Sequence, residues 1–243
     1  MKICVITDNE FIFNNFLDIA KSSKHDFDFF FSNINKDFLE KYKYSTDFHP
    51  IKLKDCPNSF FQNYELFFSL HCKQIFPPEL VENHRCINVH PGYNPYNRGW
   101  FPQVFSIINK LPIGVTIHEI DNDLDHGPII YQEKLEILSY ETSLDIYRRI
   151  QQLEIDLLKE HLEDIINHNY ITHKMEPEGN INYKSDFNKL CEIDLKREGT
   201  FGEFIDLLRA TTFAKYDNAY FIDEHGQKIY VSINLKAENE NPH

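Results

Sequence analysis

The stretch Cys86–His90 reads Cys-Ile-Asn-Val-His, and Pro91 and Gly92 end it. In an extended strand, side chains two positions apart share a face, so Asn88 and His90 project together. An amide beside an imidazole offers a donor for a developing oxyanion and a base for an amine proton. Acyl transfer to nitrogen needs those two parts. The same residues also suit a turn in which Asn and His merely satisfy backbone groups. A second stretch, Asp121-Asn-Asp-Leu-Asp-His-Gly-Pro128, brings Asp121, Asp123 and Asp125 close together in the chain. Alternating carboxylates fit a solvated loop or a hard-cation site. Leu124 and the Gly-Pro that follows Asp125 fit a tight functional turn instead.

Such groups need a scaffold. Strand-like runs fall at Lys2–Thr7, Asp26–Ser32, Tyr64–His71, Cys86–His90, Gly114–Ile120 and Ile129–Ile137. Helical patterns lie between them, one from the Asp8-Asn9 turn to Ser22 and one over Phe101–Asn109 with Pro102 in its first turn. Strands alternating with helices predict an α/β fold with a doubly wound, mostly parallel sheet. Ligands gather at the carboxyl ends of such strands, where strand order reverses. The first glycine in the chain is Gly92, so the first strand–turn–helix carries neither GxGxxG nor a P-loop. That disfavours a Rossmann dehydrogenase or P-loop NTPase.

The longest helical pattern is Ser143–His168, with Leu144, Tyr147, Ile150, Leu153 or Glu154, Leu157, Leu158, Leu162 and Ile165 on one stripe. Beyond it, Tyr170–Asp186 reads as irregular and Gly202–Thr211 as a helix. Ala219–Asp223 and Lys228–Leu235 read as a β-hairpin turning at His225-Gly226, before a frayed tail at Glu238–His243. The expected division is a core over 1–170 and an appendage over 171–243. Ile229, Val231 and Ile233 give the hairpin an apolar face that a small appendage cannot bury unaided, which predicts a homodimer.

The formal net charge of −13 argues against a partner bound through its phosphate backbone. The five cysteines show no CxxC pair, and no metal site is expected. The N-terminus lacks a signal-peptide pattern, and no run reaches the ~18 apolar residues of a membrane span, so a cytoplasmic protein is expected. His118 alternates within a strand and reads as core. His126 adjoins Asp125 and should point elsewhere. His161 and His168 read as surface residues.

Taken in order, the pattern NxHPxxxPxxRG from Asn88 to Gly99, GVTIxxxD from Gly114 to Asp121, and LDxG from Leu124 to Gly127 resembles the folate-dependent formyltransferase family. The likeness is sharpest from about Tyr64 to Gln132. It implies 10-formyltetrahydrofolate as donor, Asn88 as donor to the formyl oxygen, and His90 as the catalytic histidine. Asp125 would orient that histidine and ordered water. The family's pterin pocket maps onto His71–Phe76 and Ile120–Asp123, which gives His71, Cys72, Gln74, Ile75, Phe76, Ile120, Asp121 and Asp123 as cofactor-binding candidates.

The short, acidic chain disfavours a tRNA acceptor. HPGYNPYNRGWFPQVFSI is similar to the group acting on nucleotide-linked amino sugars, with dTDP-4-amino-4,6-dideoxyglucose as the expected acceptor for O-antigen or other surface polysaccharide synthesis. Tyr93, Tyr96 and Trp100 offer flat faces for a sugar or base, and Asn94, Asn97 and Gln103 offer paired donors and acceptors. Arg98 and Lys73 are the candidate cations for a diphosphate, and Asn9 faces the same sheet edge. The competing readings are a 10-formyltetrahydrofolate hydrolase, with water as acceptor, and a non-catalytic sugar-nucleotide binding module.

Overall fold

Apolar runs form the central strands. β1 (Lys2–Thr7) buries every residue after Lys2, the mark of a strand covered on both faces. α1 (Glu10–Ser22) follows at once, its N-terminus capped by the Asn9 side chain, which accepts from Ile12 N. The chain continues through β2 (Asp26–Ser32), α2 (Lys36–Lys41), β3 (Phe48–Ile51), α3 (Asn58–Phe61), β4 (Leu66–Leu70), α4 (Pro78–Asn83), β5 (Arg85–His90) and β6 (Arg98–Gly99). α5 (Pro102–Asn109), β7 (Ile113–Glu119), β8 (Ile129–Leu135), α6 (Ser143–Ile166), β9 (Ile181–Asn182), α7 (Lys184–Cys191), α8 (Phe201–Thr211), β10 (Tyr220–Ile222) and β11 (Lys228–Tyr230) complete it. This computed structural model describes residues 1–176, 178–214 and 216–238. Of the tail expected to fray, Glu238–His243, residues 239–243 lie outside the described residues.

Seven strands form one sheet in the order β3-β2-β1-β4-β5-β7-β8. Pairing is parallel from β3 to β5 and antiparallel between β5 and β7. The mostly parallel, doubly wound sheet is therefore what forms. Strand order reverses between β1 and β4, where Thr7 pairs with Leu70. β3 went unrecognised in the sequence because Pro50 interrupts it. It is an edge strand, the place where a sheet tolerates proline. A ladder of rings covers this end of the sheet, with Phe13 stacked on Phe48 at 3.9 Å and Phe31 edge-on to Phe48 at 4.9 Å.

The chain divides into two compact units. One comprises Met1–Pro91, Val115–Gln132 and Gln151–Met175, and the other Gly92–Gly114, Glu133–Ile150 and Glu176–His243. The segment 170–186, expected to be irregular, contains β9 and the start of α7. β9 is too short for a periodicity signal and pairs with the equally short β6 through Arg98↔Ile181. β10 and β11 form the expected hairpin, with Tyr220 opposite Tyr230.

Candidate active site

β5 carries Asn88 and His90 on one face. Because β7 runs antiparallel to it, the end of β7 at Glu119 lies opposite Ile87. The chain must then fold back across the sheet face to bring Asp125 to β5. Two backbone features make that return possible. Asp125 adopts φ +47, a left-handed conformation that aspartate tolerates better than bulkier residues. Gly127 passes so close to Glu119 that an added Cβ would sit 1.8 Å from the Glu119 carbonyl oxygen. Glu119 N donates to Pro128 O at 3.0 Å and closes the loop.

Asp125 thereby meets both β5 groups. Asn88 Nδ2 donates to Asp125 Oδ1 at 3.0 Å, and His90 Nδ1 lies 3.5 Å from Asp125 Oδ2. The His90 side chain is buried, and that of Asp125 is mostly so. Two residues that are individually ambiguous in sequence thus converge on the carboxylate of a third.

His118 joins them, and the sequence reading placed it only in the core. It is buried, as expected, but it also faces Asn88 across the β5–β7 ladder. Its Nδ1 lies 2.7 Å from the Glu119 carbonyl oxygen, which can only accept, so Nδ1 carries the proton. Desolvation lowers the His118 pKa, against an upward pull from Asp125 and the Glu119 carbonyl. The neutral ring then accepts at Nε2 from Asn88 Nδ2 at 3.2 Å. Both amide hydrogens of Asn88 are therefore engaged, one by Asp125 and one by His118. To donate to a formyl oxygen, Asn88 must exchange one of these partners.

A depressed histidine pKa has a sign. Between the folded value and the unfolded ~6.5, the unfolded chain binds more protons, so stability falls as pH drops through that window. Thermal melts of the protein at pH 7.5 and 5.5 are expected to show a loss that His118→Gln reduces. An equal loss in both proteins would mean that His118 is not the group responsible.

The segment His71–Phe76 follows β4. Phe76 belongs to an apolar cluster with Cys4, Ile6, Phe67 and Cys86, and Cys72 and Ile120 pack against the same cluster. That contact brings together two of the segments expected to bind the donor. Within them, several candidates are spent on the fold. Gln74 accepts from Leu53 N at 2.9 Å and donates to Ile51 O at 3.1 Å. Burial pushes the Cys72 thiol up to about 12, which makes it inert. Asp121 accepts from Asp123 N at 3.0 Å and pairs with His126 Nδ1 at 2.8 Å, so His126 braces the acidic loop through Asp121. Ile75 is 87% exposed and Leu124 43% exposed. The Lys73 side chain is exposed, while its backbone N–H donates to the buried Asp8 at 2.8 Å. Asn9, besides capping α1, accepts from Gln151 Nε2 at 2.9 Å.

The remaining acceptor candidates belong to the second unit. Trp100 is 45% exposed, with Lys184 5.6 Å over its ring, and Tyr93 and Tyr96 are half-buried. Asn94, Asn97, Arg98 and Gln103 are buried. Asn97, expected to contact the sugar nucleotide, is a structural hub. Its Oδ1 accepts from Asn109, Asn180 and Asn182 at 2.9, 2.9 and 3.2 Å, and its Nδ2 donates to Ser106 Oγ at 3.1 Å. Gly179, at φ +67, lets the 178–182 segment approach so closely that a Cβ there would lie 1.9 Å from Pro95 O. His161, expected at the surface, stacks on Tyr131 of β8 with ring centroids 3.7 Å apart. Among the described residues no cluster of three His, Cys, Asp or Glu is arranged to hold a metal ion, and no helix is long and apolar enough to cross a membrane.

Comparison with known proteins decides the family. The dTDP-4-amino-4,6-dideoxyglucose formyltransferase of Mycobacterium tuberculosis is 49% identical over 177 residues, covering 73% of this chain and 76% of the relative. The chain belongs to the sugar N-formyltransferases. Residues 62–162 of this formyltransferase match the formyl transferase family model and include Asn88, His90 and Asp125. Residues 186–237 match the N-formyltransferase dimerization C-terminal domain. A crystal structure of a 4-N formyltransferase from Francisella tularensis superposes with TM-score 0.94 at 47% identity, covering 97% of this chain and 98% of that one. A more distant N-formyltransferase from Helicobacter canadensis, in complex with folinic acid and dTDP-3-aminofucose, gives TM-score 0.70 at 26% identity and covers 90% and 83% of the two chains.

Proposed function

We propose that this sugar N-formyltransferase moves the formyl group of 10-formyltetrahydrofolate to the amine of dTDP-4-amino-4,6-dideoxyglucose. The observation that carries the chemistry is the convergence of Asn88 and His90 on Asp125. The amine nitrogen bonds to the formyl carbon while the carbon–N10 bond breaks, and one proton moves from the attacking nitrogen to N10. The His90 ring holds that proton in transit, and the Asp125 carboxylate stabilises the imidazolium. Asn88 donates to the formyl oxygen as negative charge builds there, releasing His118 or Asp125 to do so. The segments His71–Phe76 and Ile120–Asp123 hold the donor.

The acceptor rests on the names of similar proteins. One acts on this sugar nucleotide, and another is a 4-N enzyme. The donor is supported by the folinic acid bound to the Helicobacter relative. With that acceptor, the product belongs to a cytoplasmic stage of O-antigen or lipopolysaccharide assembly. The appendage over 171–243 contains the matched dimerization domain, and its hairpin leaves Ile222, Ile229 and Tyr230 exposed, which supports a homodimer. A monomer in sedimentation at micromolar concentration would overturn that assignment.

Incubation with 10-formyltetrahydrofolate and a panel of dTDP- and UDP-linked amino sugars, read by mass spectrometry, tests the proposal. One formyl group gained by dTDP-4-amino-4,6-dideoxyglucose is the expected outcome. Deformylation of the donor with no sugar present would make the protein a hydrolase, and absence of turnover would make it a binding module.

A further inference from the structure

Glu154, in the middle of α6, is fully buried with both carboxylate oxygens within hydrogen-bonding distance of His71 Nε2, at 3.0 and 2.7 Å. One helical turn earlier, Gln151 donates to Asn9 Oδ1. Asn9 follows β1 and His71 follows β4, and Thr7 pairs with Leu70. The polar side of α6 therefore reaches the two strand ends that flank the point where strand order reverses.

An ionisable pair is a costly way to fill this position. Ile155 and Leu158, its neighbours on the helix, are fully buried, and well-packed apolar residues often replace a buried ion pair with no loss of stability. Burial raises the Glu154 pKa and the His71 contact opposes the rise, so the carboxylate depends on that imidazole. Stability alone does not account for such a pair. Its reach is through His71, which sits at φ +59 and begins the segment His71–Phe76. Further along, Lys73 N is tied to Asp8 and the Gln74 amide to Ile51 and Leu53. Glu154 supplies the anchor at the start of the segment.

We propose that Glu154 is a positioning residue for donor binding: by gripping the His71 imidazole it sets the segment against which the pterin of the folate donor docks. The inference rests on the reading of the chain as a 10-formyltetrahydrofolate-dependent enzyme.

Two variants separate positioning from packing. Glu154→Leu fills the space without an acceptor, whereas Glu154→Gln keeps an amide oxygen that accepts from His71 Nε2–H. Losing a hydrogen bond to a charged group is expected to raise the donor KM of Glu154→Leu about tenfold. Its kcat and acceptor KM should stay within about twofold, and Glu154→Gln should return the donor KM to within about threefold of wild type. Calorimetric titration with tetrahydrofolate should show the same weakening without turnover. An unchanged donor KM and tetrahydrofolate affinity in Glu154→Leu would overturn the inference. So would a parallel fall in every parameter and in Tm, or a folded Glu154→Gln as impaired as Glu154→Leu. Wild-type protein that binds tetrahydrofolate but formylates no amino sugar would remove the functional reading while leaving the binding comparison to decide the role of Glu154.

Discussion

His90→Ala is expected to lower kcat about 10³-fold, within the range that a positioned acid–base group contributes, while the affinity for sugar nucleotide and folate stays within about twofold. The expectation follows from where the imidazole sits. It is buried and its Nδ1 faces the Asp125 carboxylate at 3.5 Å, so the ring is held in one place beside a carboxylate and offers little surface to substrate. Asp125→Asn should fall by a similar order, about 10²- to 10³-fold, because the amide removes the charge that stabilises an imidazolium. It also disturbs the acceptor on which Asn88 Nδ2 rests. Single-turnover kinetics with calorimetric binding would separate the effects. A loss of binding that matches the loss of rate would show that these residues hold substrate and do not act in the chemical step.

Much of this site could be read from the chain because its members follow local rules. Asn88 and His90 share a face through the period of a strand, and Pro91-Gly92 ends that strand. Pro102 at the start of α5 and the apolar stripe of α6 are equally local signals. Asp125 was recognisable through resemblance alone. Its approach to His90 depends on an antiparallel β7, a left-handed backbone at Asp125 and the close passage of Gly127 over Glu119. None of these is a periodicity.

The residues that were missed act at long range. His118 looked like one more inward residue of a strand, and only the register Asn88↔His118 makes it the partner of the Asn88 amide. Glu154 competes with Leu153 for one position of the α6 stripe, and its role appears only with His71, 83 positions away in the chain, beside it. In both cases the useful signal is a polar side chain buried on an apolar stripe. Such a residue must have a partner, and that partner lies elsewhere in the sequence.

Asn97→Ala is the sharpest test of the acceptor loop, because two readings of Asn97 predict opposite results. In sequence it stands among Tyr93, Asn94, Tyr96 and Arg98 as a candidate sugar-nucleotide contact. In the structure it has no exposed surface, and its oxygen accepts from three asparagine amides. Truncation would strand those donors at about 1–3 kcal/mol each, a large share of the ~5–15 kcal/mol that holds a typical domain together. Partial relaxation should leave a net loss of about 3 kcal/mol and lower Tm by on the order of 10 °C. Asn97→Asp keeps an acceptor for the three amides but loses the donor to Ser106, so it should recover part of that loss. Thermal melts together with sugar-nucleotide titration give the answer. If Asn97→Ala melts like wild type and fails only to bind the acceptor, Asn97 touches substrate. If it unfolds early, its work is to join the loop after Gly92 to the 178–182 segment, and recognition falls to the more exposed Tyr93, Tyr96 and Trp100.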